Sequence, residues 1–294
     1  MKITIVTPSY NSEKFIEETL HCVLSQKGEF FLEYIVVDGS STDGTVGIIK
    51  KYDEMLREGK WPIRCRGIDF KWVSEPDKGM YAAINKGFSM GTGDIYAWIN
   101  SDDTYLPNVL NLACRVFSQF PQINWFSGAT VIINESSIID RSPACFLYNR
   151  ELLKKGFYNP DNYVLSQEGT FWKSSLWKKA GGIDEGLKLA GDFYLWTRFA
   201  EFEKLYTINT FLSCFREHAS QLSSNMAAYK LECERFVAID SETKKLKAFF
   251  KLWRKIPPLF RLYKYIFNHE YNLIIIEKNV LSLKKYRYFL YIRK

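Results

Sequence analysis

The chain has 294 residues, 47% of them apolar, which is enough for one large domain or two small ones around a sizeable core. Its three histidines (His21, His218, His269) exclude a histidine-rich metal site, and its six scattered cysteines, none in a CxxC pair, argue against a zinc ribbon or a disulfide framework. The net charge of +7 is uneven: residues 244–294 hold fourteen Lys and Arg against two acids (+12), while residues 1–243 carry 26 basic and 31 acidic side chains, so the body is no uniformly basic nucleic-acid binder.

In chain order, "KITIVTPSYN" predicts a short strand that stops at Pro8, and Phe15, Ile16, Leu20, Val23 and Leu24 predict a helix over residues 12–26. "EYIVVDGSSTDGT" predicts a buried strand from Tyr34 to Val37, a polar turn, and a helix from Thr45 to Leu56. "FKWVSEPD" reads as a third strand, "MYAAINKGFSM" as a helix and "DIYAWI" as a fourth strand that runs into Asn100, Ser101, Asp102 and Asp103. Leu106 and Pro107 read as a helix start, with proline in the first turn. Strands alternating with helices predict an α/β fold with parallel pairing. In such sheets ligands sit beyond the carboxyl ends of the strands. "TPSYN", "DGSSTDGT", "SEPDKG" and "NSDD" each follow a strand, so four polar clusters should meet in one crevice. Two adjacent acids there suit a hard cation shared with a phosphate, or a turn that caps a helix. A dinucleotide-binding domain is disfavoured, because "TPSYNSE" has no glycine where the backbone would approach a pyrophosphate.

In their order, "TPSYN", "VVDGSSTDGT", "SEPDKGMYAAINKG", "GDIYAWINSDD", "GGIDEGLKLAGDFYLWTRFA" and "FREHASQLS" resemble the family 2 glycosyltransferases of the GT-A fold, over about residues 3–223. The resemblance implies a Rossmann-like, mostly parallel sheet flanked by helices. Residues 1–103 would be the nucleotide-sugar-binding half and residues 104–223 the acceptor and catalytic half. It implies inverting transfer of a sugar from a nucleoside diphosphate, with a UDP-sugar favoured, to an acceptor hydroxyl.

By the same resemblance, Asp102 matches the acid that ligates Mn²⁺ or Mg²⁺, and His218 the histidine that closes over the diphosphate and joins the metal. Asp38 matches the residue that reads the base. Pro8 and Tyr10 line the base or sugar, Asp77 and Lys78 lie near the nucleotide, and Asn100 and Ser101 complete the donor site. Asn100 stands where an acid is common, and Ala82 where a polar contact is expected. Asp192 matches the general base that takes the acceptor proton, and Gln167 and Thr170 face the acceptor. Gly191 replaces an acid that often precedes the base. These assignments have plainer structural counterparts: a turn aspartate for Asp38, a helix-start acid for Asp192, core packing for Tyr10 and a surface ion pair for Asp77 and Lys78; Arg216 is left to pair with a phosphate or with Glu217.

The tail departs from this pattern. "KKLKAFFKLWRKI" sets Leu246, Phe249, Phe250, Trp253 and Ile256 at helical spacing among six basic residues, and "PPLFRLYKYIF" continues the composition. Residues 224–294 are expected to be a helical extension lying on an anionic membrane, or packed on the body. The first reading suits a lipid-linked glycan acceptor in surface polysaccharide synthesis. No stretch approaches the roughly 20 apolar residues of a membrane span. The N-terminus is unlike a signal peptide, so the expected place is the cytoplasm, peripheral at the inner face of the membrane. No nucleic-acid partner is expected, and oligomeric state is left open. A non-catalytic nucleotide-sugar-binding membrane scaffold is the alternative; the presence of both Asp102 and Asp192 speaks against it.

Overall fold

The computed structural model describes residues 1–143, 145–158, 165–219, 221, 225–253, 271–286 and 291–292. The first part runs β1 (Lys2–Ser9), α1 (Ile16–Leu24), β2 (Phe31–Asp38), α2 (Thr45–Arg57), β3 (Gly67–Ser74), α3 (Met80–Met90) and β4 (Ile95–Trp98). Then come β5 (Thr104–Tyr105), α4 (Val109–Gln119), β6 (Trp125–Ile133), β7 (Ile139–Arg141), β8 (Cys145–Phe146) and α5 (Arg150–Lys154). Next come β9 (Thr170–Lys173), α6 (Ser174–Ala180), α7 (Gly191–Phe202) and β10 (Tyr206–Arg216). The extension holds α8 (Met226–Phe236), α9 (Ser241–Trp253), β11 (Tyr271–Glu277), β12 (Val280–Tyr286) and β13 (Tyr291–Ile292).

One sheet spans both halves in the order β12-β11-β10-β6-β9-β4-β1-β2-β3. β1 is parallel to β2 and β4, and β2 to β3, while β9 lies between β4 and β6 and is antiparallel to both. β1 is buried from Ile3 to Ser9, as expected for a parallel strand covered on both faces. α3 approaches it closely at Gly87, where a Cβ would stand 2.5 Å from Val6 Cγ1. Behind the site the core is aromatic. Trp196 of α7 lies nearly parallel to Trp98 of β4 and Trp125 of β6, with centroids 5.8 and 5.9 Å apart. Such pairs contribute about 0.5–1.5 kcal/mol each beyond their area burial, and here they tie α7 to the sheet.

Three expectations need correction. β1 continues through Pro8 to Ser9: β4 pairs only with Ile3–Val6, so at Pro8 the strand has a neighbour on one side only, where a residue without an N–H is tolerated. The helix expected at Pro107 starts at Val109, after Asn108 in the left-handed region (φ 67°). The chain is still extended before that point, with Thr104 and Tyr105 paired to β10 and the Leu106 N–H bonded to Leu212 O at 3.0 Å.

The extension is not wholly helical. α9 matches the predicted helix, but β11 and β12 form a hairpin and β11 adds to the main sheet parallel to β10. Leu246 and Phe249 of the predicted apolar face are half-buried against the core, as the packed alternative has it. Ile256 and "PPLFRLYKYIF" lie outside the described residues, as do the side chains of Phe250 and Trp253. All six cysteines are free, and none of the described helices is long and apolar enough to cross a membrane.

Candidate active site

The four polar clusters meet at the carboxyl ends of β1, β2, β3 and β4 and bond to one another. The Asn11 N–H donates to Ser41 Oγ (2.8 Å) and the Thr42 N–H to Asn11 Oδ1 (2.9 Å), joining the loops after β1 and β2. Ser74 at the end of β3 donates to Asp38 Oδ2 (2.7 Å), and the Ser12 and Ser101 hydroxyls meet at 2.7 Å. Asp38 is fully buried and also accepts from the Ser41 N–H (2.9 Å) and hydroxyl. A carboxylate has about four lone-pair sites, so one remains for a further donor. Asp43 accepts from the Thr45 and Glu13 N–H groups and so closes the turn before α2.

Pro8 is buried in β1, whereas Tyr10 is 64% exposed at the strand's end, which overturns its core-packing alternative and leaves its ring free to cover a ligand. Asp77 closes its own turn by accepting from the Gly79 N–H at 2.7 Å, and its carboxylate lies over Gly39. Lys78 is exposed, and its carbonyl accepts from Lys188 Nζ at 2.9 Å. Among the described residues, neither Asp77 nor Lys78 makes an ion pair.

The two expected metal ligands come together: His218 Nε2 lies 2.9 Å from Asp102 Oδ2. Both are held from behind. Arg216 is buried and donates through Nε to the Asp102 carbonyl (2.8 Å), through Nη1 to Asn134 O and Ser137 Oγ, and through Nη2 to Glu18. Its partner is therefore Glu18, not Glu217, which pairs with Arg141. The Phe15 ring packs between the Arg216 guanidinium and the His218 imidazole, with centroid separations of 4.9 and 5.0 Å. Asp103 is buried beneath, accepting from the Arg216 N–H (2.9 Å) and the Asn100 amide (3.3 Å). Burial, reinforced by the charges of Asp102 and Glu168, drives its carboxyl well above the ordinary range. Asp103 thus braces the loop from within, and Asn100 Oδ1 is buried beside it without a partner among the described residues.

Asp102 and His218 bring a carboxylate and an imidazole to one point, a donor pair that fits Mn²⁺ better than the all-oxygen preference of Mg²⁺. No cluster of three or more acidic, His or Cys side chains that could hold a metal unaided exists among the described residues.

Gln167 Nε2 donates to the Trp98 carbonyl, tying the loop before β9 to the end of β4, and its Oε1 is buried without a partner among the described residues. Thr170 does not reach the crevice: it is fully buried in β9, and its hydroxyl donates to Ser166 O at 2.7 Å. Asp192, half-buried in the first turn of α7, accepts from Tyr229 Oη at 2.9 Å. Gly191 before it has no room for a side chain, since a Cβ there would stand 2.6 Å from the Tyr81 ring. That accounts for the missing acid.

Sequence reasoning missed Glu168. It is 5% exposed, and burial, together with the charges of Asp192 and Asp102, pushes its carboxyl up to about 8. An acid beside Gln167 at the start of a buried strand was the available signal.

A sheet of this order with its polar loops gathered at one end matches the GT-A fold expected from the sequence. Residues 4–136, a little under half of the chain, match the model described as Glycosyl transferase family 2. An uncharacterized glycosyltransferase of Rickettsia typhi is 24% identical over 232 residues, covering 78% of this chain and 68% of the relative. A Bacillus subtilis glycosyltransferase, TuaG, whose name assigns it to teichuronic acid biosynthesis, is 27% identical over 139 residues, 47% of this chain and 51% of its own. Two solved structures share the fold. Staphylococcus aureus TarS 1–349 with UDP-GlcNAc superposes with a TM-score of 0.59 at 19% identity, over 84% of this chain and 66% of that one. The Pyrobaculum calidifontis mannosyltransferase PcManGT with GDP-Man and Mn²⁺ does so with 0.53 at 19% identity, over 86% and 64%.

Proposed function

We propose that this chain moves a sugar from a nucleoside diphosphate, a UDP-sugar in the first instance, to an acceptor hydroxyl with inversion at the anomeric carbon. The observation that carries the reading is the meeting of Asp102 and His218 at 2.9 Å, at the mouth of the four-loop crevice. Solved relatives in fold hold UDP-GlcNAc, or GDP-Man with Mn²⁺, and this supports the donor class. Asp102 and His218 would hold Mn²⁺ or Mg²⁺. When bound, the cation supplies positive charge against the departing diphosphate. The remaining Asp38 lone pair accepts the imide N–H of a uracil, and the exposed Tyr10 ring covers the base or the sugar. Asp192, at the start of α7, takes the proton of the acceptor hydroxyl as its oxygen bonds to the anomeric carbon and the bond to the diphosphate breaks. A single base with a single displacement gives inversion.

For the acceptor, the +12 of residues 244–294 and the polysaccharide assignment in the name of TuaG support a lipid-linked glycan presented at an anionic membrane. A thermal-shift series with UDP, UDP-GlcNAc and GDP-Man, each with Mn²⁺ and with EDTA, tests the donor assignment. UDP compounds with Mn²⁺ should raise the midpoint most; a series in which no nucleotide stabilises the protein would overturn it.

A further inference from the structure

α8 lies outside the part of the chain that carries the family motifs, yet it covers the catalytic end of α7. Two of its side chains, three residues apart and so on one face, reach that end. Tyr229 Oη donates to Asp192 Oδ1 at 2.9 Å. Glu232 accepts three backbone N–H groups, from Lys188 at 2.7 Å and from Leu189 and Ala190 at 2.6 Å. These lead directly into α7, whose own N-cap, Ala190, offers no side-chain acceptor. Glu232 thus supplies from another helix the anion that a helix start favours. On the opposite side, Tyr81 of α3 donates to the Leu189 carbonyl at 2.7 Å, so the segment before Asp192 is held from two directions. α8 itself is anchored, with Cys233 and Val237 (its C-cap) in the core and Phe236 edge-on to Tyr194 of α7 at 5.3 Å.

We propose that Tyr229 and Glu232 are positioning residues for Asp192, which makes α8 part of the active site. The inference rests on the reading of Asp192 as the base. Tyr229 holds Oδ1 and so orients the carboxylate that takes the acceptor proton. Glu232 fixes the backbone from which the carboxylate projects.

The two act in opposite senses on the Asp192 carboxyl. Burial pushes it up to about 6, while the Tyr229 bond pulls it down and the Glu232 charge adds to the rise. Tyr81 of α3, Glu168 before β9 and Cys233 of α8 also interact with it electrostatically. A carboxyl ¹³C NMR titration of the full chain, with the Asp192 signal assigned by its loss in Asp192→Asn, reads these effects directly. Tyr229→Phe should move the midpoint up by about one pH unit, the scale of one lost bond to the ionised form, and Glu232→Gln should move it down. An unmoved midpoint in Tyr229→Phe, which keeps the ring and loses one oxygen, overturns the role of Tyr229 even if Glu232→Gln fails to fold. A midpoint that does not fall in a folded Glu232→Gln removes Glu232. Full transfer by Asp192→Asn would instead strike the base assignment and leave the Tyr229 contact standing.

Discussion

Burial pushes the Asp192 carboxyl up to about 6, against the pull of the Phe193 N–H and the Tyr229 hydroxyl. A base must be ionised to accept a proton, so transfer should fall as pH drops below about 6 and level off above it. Asp192→Asn should retain nucleotide binding and lose about 10²-fold or more in transfer, read as UDP released in the presence of acceptor glycan. Transfer within a few-fold of wild type would reduce Asp192 to a helix-start acid. Asp38 and Asp102 stood out by their place after a strand, and Asp192 by the motif at a helix start that carries the resemblance. Tyr229 and Glu232 were not legible, because their roles come from packing between α8 and α7, which no local pattern encodes. Thr170 misled for the opposite reason, since a polar residue beside a site motif turned out to close a turn.

The central strands are pinned at the end opposite the site by a buried acid. Glu33 of β2 accepts from Lys2 and Lys71 at 2.9 Å each, from the Thr4 hydroxyl, and from the Thr92 N–H (2.7 Å) and hydroxyl (3.0 Å). Burial alone would raise its carboxyl; the bonds from Thr4, Thr92, Lys71 and Lys2 hold it at about 2. A depressed carboxylate stabilises the fold fully above its unfolded value, near 4.5, and the contribution fades as pH falls toward 2. Glu33→Gln should therefore cost about 2–3 kcal/mol in denaturant unfolding at pH 7, and the gap to wild type should narrow between about pH 4.5 and pH 2. A gap that does not change with pH would show that the bonds, not the charge, matter. Elements with a period or a bounded apolar run were readable, such as α3, whose predicted and observed limits coincide. The β11–β12 hairpin was passed over with the rest of the basic tail, although β11 itself is an apolar run without a basic residue. Its signal was the Lys278-Asn279 pair, both at positive φ (48° and 64°), as a two-residue type I′ connection requires.

At the scale of the molecule, the α/β plan and the crevice followed from strand–helix alternation, whereas the fate of the tail depended on what its apolar face would meet. Part of that face meets the protein: Tyr271, Leu273 and Ile274 are buried, and α9 leans on the core through Leu246 and Phe249. Removing residues 244–294 would uncover this core, so membrane attraction is better tested by charge. Lys244, Lys245 and Lys251 on α9 are exposed. Replacing all three by Gln should weaken co-sedimentation of the full chain with anionic vesicles, and raising the salt should do the same. Equal binding to neutral and anionic vesicles would remove the membrane reading. The central claim is a donor site in which Asp102, a cation and a diphosphate meet, and calorimetric binding of UDP to the full chain addresses it most directly. Wild type should bind UDP at least about tenfold more tightly with Mn²⁺ than with EDTA, about 1.4 kcal/mol, and Asp102→Asn should erase that difference. Equal wild-type affinity with Mn²⁺ and with EDTA would contradict the account.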